Sequence, residues 1–333
     1  MNAKFKMQNA KLIRRLFAFC ILNFAFVMTA SAHEIGTMQV RALFKRDHTY
    51  VINVYTSPIA IAKRLHGDAI TKHVFVSFNG IPITPHAELT ADGIRVTGDI
   101  PPQSETFTWR YDLTFSSYVL MLENESHGTT LQWLEGDARS APFPLTRDVI
   151  PPTRLAVIRQ YLTLGFTHIV PRGLDHILFV VGLFLLTTRI KPLLAQVTAF
   201  TLAHSITLGL TMYGVVSLSP RIVEPAIALS IAYIAIENLI TTELKPWRVA
   251  IVFAFGLLHG MGFAGVLREL GLPRREFVTA LVSFNAGVEG GQLFVIAIAA
   301  ILFARKWRAR IVAPASVLIA ATGLFWTVQR LMT

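Results

Sequence analysis

The 333-residue chain has a single cysteine, Cys20, which excludes an internal disulfide and any metal site built on paired thiolates. Charge is also scarce: Asp, Glu, Lys and Arg together make up 15% of the residues. No GxxxxGK[ST] run occurs anywhere, so nothing points to a phosphate-cradling loop or to direct ATP drive. The 31 basic residues outnumber the 20 acidic ones, yet they form no patch interleaved with aromatics, and nucleic acid drops out as a partner. Apolar surface fills the gap. Hydrophobic residues reach 53% and mean hydropathy is +0.52, outside the range of an ordinary soluble enzyme.

That average hides a division near Pro151 into a mixed first half and a second half of long apolar blocks. The first residues read as a secretory signal, 1–32. Lys4, Lys6, Lys11, Arg14 and Arg15 make a basic start, 16–28 is an apolar run, and Ala30-Ser31-Ala32 is a small-x-small cleavage site. The run is shorter than the roughly 20 residues a spanning helix needs. Cys20 lies inside this signal, and Phe19 before it is too large for a lipoprotein site. Removal of the segment would take five of the net eleven positive charges and leave a chain without thiols.

Residues 33–150 are punctuated by turn signals: Ser57-Pro58, Asn79-Gly80, Ala91-Asp92-Gly93 and Pro101-Pro102. Between them lie short runs rich in Val, Ile, Phe, Tyr and Trp, among them 49–55, 74–78, 94–97, 107–115 and 118–122. This pattern predicts a small antiparallel sandwich with one short helical stretch at 60–65, hence an exported, all-β domain. Its six histidines match no compact metal motif. His33 stands apart: cleavage after Ala32 would place it at the mature N-terminus, where imidazole and free amine can chelate one Cu²⁺ or Ni²⁺ together.

Residues 151–333 predict an α-helical bundle of about six transmembrane helices. The apolar blocks are 174–186, 193–216, 222–240, 249–267, 277–304 and 311–328. The first is too short to span alone, and the amphipathic stretch 155–170 precedes it, separated by Pro171 and Gly173. A broken or re-entrant first helix follows from this. Irregular backbone is tolerated at membrane depth only where protein or a wet cavity covers it, so the break points towards a functional site. Loop charges set an orientation. With the β domain outside, eight basic residues (Arg189, Lys191, Lys245, Arg248, Arg305, Lys306, Arg308 and Arg310) fall on the inner side. Five (Arg221, Arg268, Arg274, Arg275 and Arg330) fall on the outer side, and the C-terminus lies outside.

Ionisable groups within a bilayer cost several kcal/mol and mark function. Nearly every block carries one: Asp175 and His176 in the first, with His168 just ahead of the break; His204 followed by Ser205; Glu237 with Asn238; His259; and Asn285, Glu289 and Gln292. The last three are spaced i, i+4, i+7 and share one helix face. Glycines around His259 and Glu289 let neighbouring helices approach closely. Such imidazoles and carboxylates suit a first-row divalent ion. His176, His204, His259, Glu237, Glu289 and Asp175 are the candidate ligands, with His168, Ser205, Asn238, Asn285 and Gln292 in support. Asp175 could instead orient His176, and hydrogen-bonded pairs that merely join helices are the alternative.

The series Gly173-Leu174-Asp175-His176-Ile177-Leu178-Phe179, Thr201-Leu202-Ala203-His204-Ser205, Ile236-Glu237-Asn238, Gly256-Leu257-Leu258-His259-Gly260 and Phe284-Asn285-Ala286-Gly287-Val288-Glu289 resembles the HupE/UreJ family of proposed nickel or cobalt permeases. The likeness is greatest to its longer branch, in which an exported β domain precedes the helices. It implies a permease for a divalent ion, nickel or cobalt, in a bacterial inner membrane; with the orientation the loop charges set, the β domain and C-terminus are periplasmic, and zinc (Zn) enters as a bound ion in the alternative below. Lipid and the ion are the partners; metalloenzyme maturation proteins or further copies of the chain are the macromolecules this reading admits. No catalytic residue is assigned. Two other classes remain open: an intramembrane zinc hydrolase using the histidines, Asp175 and Ser205, and a sensor or assembly factor acting through its β domain.

Overall fold

The structure, a computed structural model, describes residues 38–56, 58–65, 67–114, 117–187, 189–241, 243–269, 276–302 and 308–332. The signal segment 1–32 with Cys20, the candidate chelate His33, and Arg268, Arg274, Arg275, Arg305, Lys306 and Arg308 of the loop-charge count lie outside what is described or lack described side chains. The chain divides into two compact units, with the boundary in the sequence between Pro152 and Thr153.

The first unit is β-rich. The strands among the described residues run β1 (Met38–Phe44), β2 (Thr49–Tyr55), β3 (Val74–Phe78), β4 (Ile81–Ile83), β5 (His86–Thr90), β6 (Gly93–Asp99), β7 (Thr106–Tyr111), β8 (Ser117–Asn124), β9 (Gly128–Glu135) and β10 (Phe143–Pro144). They form a six-stranded sheet, β5-β6-β2-β1-β8-β9, and a four-stranded one, β10-β7-β3-β4. The helix α1 (Pro58–Leu65) takes up the predicted helical stretch. Period-two alternation decides which faces meet. Tyr50, Ile52 and Val54 of β2 are buried, as are Phe107, Trp109 and Tyr111 of β7, with Thr and Arg between the latter turned outward. Phe44 from one sheet lies 4.7 Å edge-on from Phe107 of the other, and Phe78 lies 5.5 Å from Tyr50, so the sheets share one core. Gly98 leaves room for the Tyr50 ring, whose hydroxyl a Cβ there would meet at 2.7 Å. Burial pushes the Tyr50 phenol up to about 12, so it stays neutral in the core.

Asn79 and Gly80 both have positive φ, 52° and 79°, the backbone an Asn-Gly hairpin turn demands between β3 and β4. In one respect the expectation of an antiparallel sheet needs correcting. β1 and β8 pair in parallel, Met38 against Tyr118 through Phe44 against Asn124. A parallel neighbour needs a long crossover, and residues 45–116, which build most of the four-stranded sheet, provide it.

The second unit is helical: α2 (Arg154–Ile169), α3 (Leu174–Leu186), α4 (Ile190–Met212), α5 (Pro220–Ile240), α6 (Arg248–Glu269), α7 (Phe277–Leu302) and α8 (Arg308–Met332). Thr153 caps α2, its hydroxyl accepting from the Ala156 amide at 3.3 Å. Pro171 forces the residue before it out of helical conformation; Val170 is extended, and α2 and α3 meet at 70°. At 13 residues, α3 is about 20 Å long, short of a hydrocarbon core of about 30 Å. Among the described residues, four helices (α4, α5, α7 and α8) are long and apolar enough to cross a membrane, and the bent α2–α3 pair makes a fifth span if counted as one. The apolar part of α6 found by the same measure, Arg248–Gly262, is shorter. Phe179, Leu183, Phe200, Ile231, Ile234, Val252, Ile319 and Trp326 pack in the interior. Large apolar side chains such as Leu202, Leu229, Val278 and Ile301 are exposed. An apolar interior inside an apolar exterior is what insertion into lipid requires.

Candidate metal centre

The break after α2 turns that helix's end back on the start of α3. Gly173 makes this tight reversal feasible, because a Cβ there would collide with the His168 carbonyl. His168, in the last turn of α2, and His176, in the first turn of α3, consequently come together with ring centroids 4.9 Å apart. Two glycine pairs bring up the remaining helices. Gly287 and Gly291 of α7 sit against α2, where added Cβ atoms would meet the Leu162 carbonyl and the Ile169 side chain. Gly256 and Gly260 of α6 do the same against α4 at Phe200 and His204.

Three imidazoles converge as a result. His168, His176 and His204 each offer a ring nitrogen, and these atoms all lie within 4.8 Å of one another. His259 stands beside them, its ring 5.0 Å from that of His176. His204 is 0% exposed and His259 2% exposed. Phe179, Phe200 and Phe284 pack against the rings at 4.9–5.7 Å, which keeps the cluster dry.

Tautomers follow from the partners. Asn285 donates its amide to the Leu281 carbonyl at 2.8 Å, leaving its carbonyl oxygen to face His204 Nδ1 at 3.1 Å. That oxygen can only accept, so Nδ1 carries the hydrogen and Nε2 the lone pair. His259 Nδ1 likewise donates to the Phe255 carbonyl at 2.9 Å. Nε2 of His176, His204 and His259 is in each case buried without a hydrogen-bond partner. A buried ring nitrogen without a partner is costly, and a shared cation would satisfy those of the converging rings. Replacing Asn285 with leucine should free the His204 ring to rotate and weaken divalent-ion binding by about 10–100-fold; titration of the purified chain with Ni²⁺ or Zn²⁺ measures it.

The carboxylates lie apart from this trio. Both Asp175 oxygens accept from Arg330 Nη2, at 3.2 and 2.9 Å. Glu237 is ion-paired with Arg248 at 2.8 Å, in a network where Arg248 also donates to Gln196 at 3.0 Å and Asn238 at 3.4 Å. Asn238 in turn donates to the Gly182 carbonyl at 2.8 Å. Along the α4–α7 seam, Thr198 donates to Glu289 at 2.7 Å and Thr201 to Gln292 at 3.0 Å. Ser205 donates to the Thr201 carbonyl of its own helix at 2.7 Å.

Two residues read as loop charges are therefore something else. Arg248 is 0% exposed and Arg330 5% exposed; each sits at a helix end but reaches inward to a carboxylate. Position in the sequence suggested solvent, while spacing held the better signal: Trp326 and Arg330 are i, i+4, and the Trp326 side is the buried one. Thr198 and Gln196 gave no signal in the sequence, since neutral polar residues inside a long apolar run carry no periodic mark, and Thr201 stood out only as part of a family-like block.

A family model described as HupE / UreJ protein matches residues 146–330. No curated protein and no solved structure matches.

Proposed function

Because the chain belongs to the HupE / UreJ family, we propose that it is a membrane permease for a divalent transition-metal ion, nickel or cobalt in the first place. The observation that carries this reading is the convergence of His168, His176 and His204 from three helices, with their ligand atoms within 4.8 Å. A neutral, all-imidazole set suits Ni, Co or Zn better than a hard ion such as Mg²⁺. It also suits an ion that must leave again, since among the described residues no carboxylate joins the trio to hold it by charge. Asp175, Glu237 and Glu289 then act on the route to and from the cluster, with Asn285 orienting His204.

The wider setting belongs to the same proposal. Residues 1–32 are a signal peptide, 33–150 a periplasmic domain that collects the ion, and the helical part about six spans in a bacterial inner membrane. With Arg248 and Arg330 removed from the loop count, the excess of basic residues on the inner side keeps its sign, which supports a periplasmic C-terminus.

Uptake decides it. Cells expressing the wild-type chain should accumulate radiolabelled Ni²⁺ or Co²⁺, and cells with equal amounts of His204→Ala should fall to the level of cells without the protein. Equal uptake by wild type and variant would sink the assignment. One observation favours a second reading: three converging histidines are also the ligand set of a catalytic zinc. For an intramembrane hydrolase, one zinc should remain per purified chain after dialysis and no ion should move.

A further inference from the structure

Asp175, Glu237, Arg248 and Arg330 are the only buried Asp, Glu, Lys or Arg side chains among the described residues. They form two ion pairs and nothing is left over. A buried pair gains little stability over well-packed apolar residues of the same volume, so two of them, each bridging different helices, call for another explanation.

Their placement along α5 provides one. Arg330 Nη1 donates to the Glu224 carbonyl near the start of α5, at 3.1 Å, while Arg248 holds Glu237 near its end. Thirteen residues of helix separate those points, about 20 Å. His259 lies between them along α6, which begins at Arg248. Gly262, one turn from His259, packs on Ile227 and Val223 of α5. Asp175 immediately precedes His176, so the Arg330 pair closes directly on the cluster. The Arg248 pair is on the other side: Gly182, which its network touches through Asn238, is six residues past His176, and Gln196 is eight residues before His204, about 9–12 Å along those helices.

We propose that the Asp175–Arg330 and Glu237–Arg248 pairs are the two gates of the ion path, each closing one side of the histidine cluster. This rests on the permease reading and adds the residues that set access. Each guanidinium occupies a carboxylate that a passing dication needs, and its own charge repels that dication until the pair opens. Opening one pair frees α3 from α8, and opening the other frees α5 from α6. The two events move different helices and can therefore alternate.

The test reads access to the cluster without using a metal. Cys20 is the sole native cysteine, so a Cys20→Ser, His168→Cys full-length chain carries one thiol, at the cluster. A membrane-impermeant thiol reagent is applied to right-side-out and inside-out vesicles. With both pairs intact, labelling is slow from either face. Arg330→Gln should accelerate it about tenfold from one face only, and Arg248→Gln about tenfold from the opposite face only. Acceleration from the same face in both variants, or no change in either at normal protein level, overturns the gates. If a glutamine variant does not accumulate, Arg330→Lys and Arg248→Lys keep the charge, lose the planar fork, and must give the same opposite-face pattern. Ion uptake is measured separately: the opposite-face pattern without uptake keeps the gates and rejects the metal cargo, whereas uptake without the pattern does the reverse.

Discussion

Arg330→Met is expected to destabilise the helical unit by about 3–5 kcal/mol, because it leaves the Asp175 carboxylate buried and uncompensated. Asp175 is 8% exposed, and both of its oxygens accept from the one Arg330 nitrogen. Arg330 also anchors the start of α5 through the Glu224 carbonyl and lies 5.6 Å from the Trp326 ring, so part of the loss is packing. The diagnostic comparison is Asp175→Leu combined with Arg330→Met. Removing both charges should restore most of the thermal midpoint lost by Arg330→Met alone, as measured on the purified chain in detergent. A double variant as unstable as the single would mean that the arginine stem, not the ion pair, carries the stability.

The other large effect belongs to His176. Its ring contacts those of His168, His204 and His259 at centroid distances of 4.9, 6.0 and 5.0 Å, so it is the hub of the cluster. His176→Ala should lower divalent-ion affinity by more than the 10–100-fold expected for an orienting residue such as Asn285, with little change in stability, since it also removes a buried unpartnered nitrogen. Equilibrium dialysis of the purified variants against Ni²⁺ and Zn²⁺ ranks them. If Asn285→Leu were the more damaging, the role of His176 as principal ligand would fall.

Where the sequence could be read, local patterns were strong. Thr49–Tyr55 alternates cleanly because it buries one face, Val74–Phe78 is buried along most of its length, and Asn79-Gly80 specifies its own turn. The outermost strands β5 and β9 bury little of either face and so leave no alternation to detect. The parallel pairing of β1 with β8 is a long-range choice that no short window contains. In the helical unit, Pro171 and Gly173 marked the break, and the histidines stood out as polar residues in apolar runs. What spacing could not reveal was partnership. His168, read as a supporting residue, lies in the trio with His176 and His204, while Asp175, Glu237 and Glu289 face Arg330, Arg248 and Thr198. Which acid meets which base depends on helix packing set by Gly256, Gly260, Gly287 and Gly291, and that is decided in three dimensions.

The parallel β1–β8 seam also fixes an order of assembly. As the chain emerges from its N-terminus, β1 can pair with β2 at once, but its other edge waits until residues 117–124 have been made. Over that interval an alternating strand, with Val40, Ala42 and Phe44 on one side, lies open to any other extended chain. The late contact raises the contact order of the unit and slows its closure. A chain synthesised in this direction thus has most need of a holding chaperone between completion of β2 and arrival of β8, and truncations ending inside that window should be the ones that aggregate.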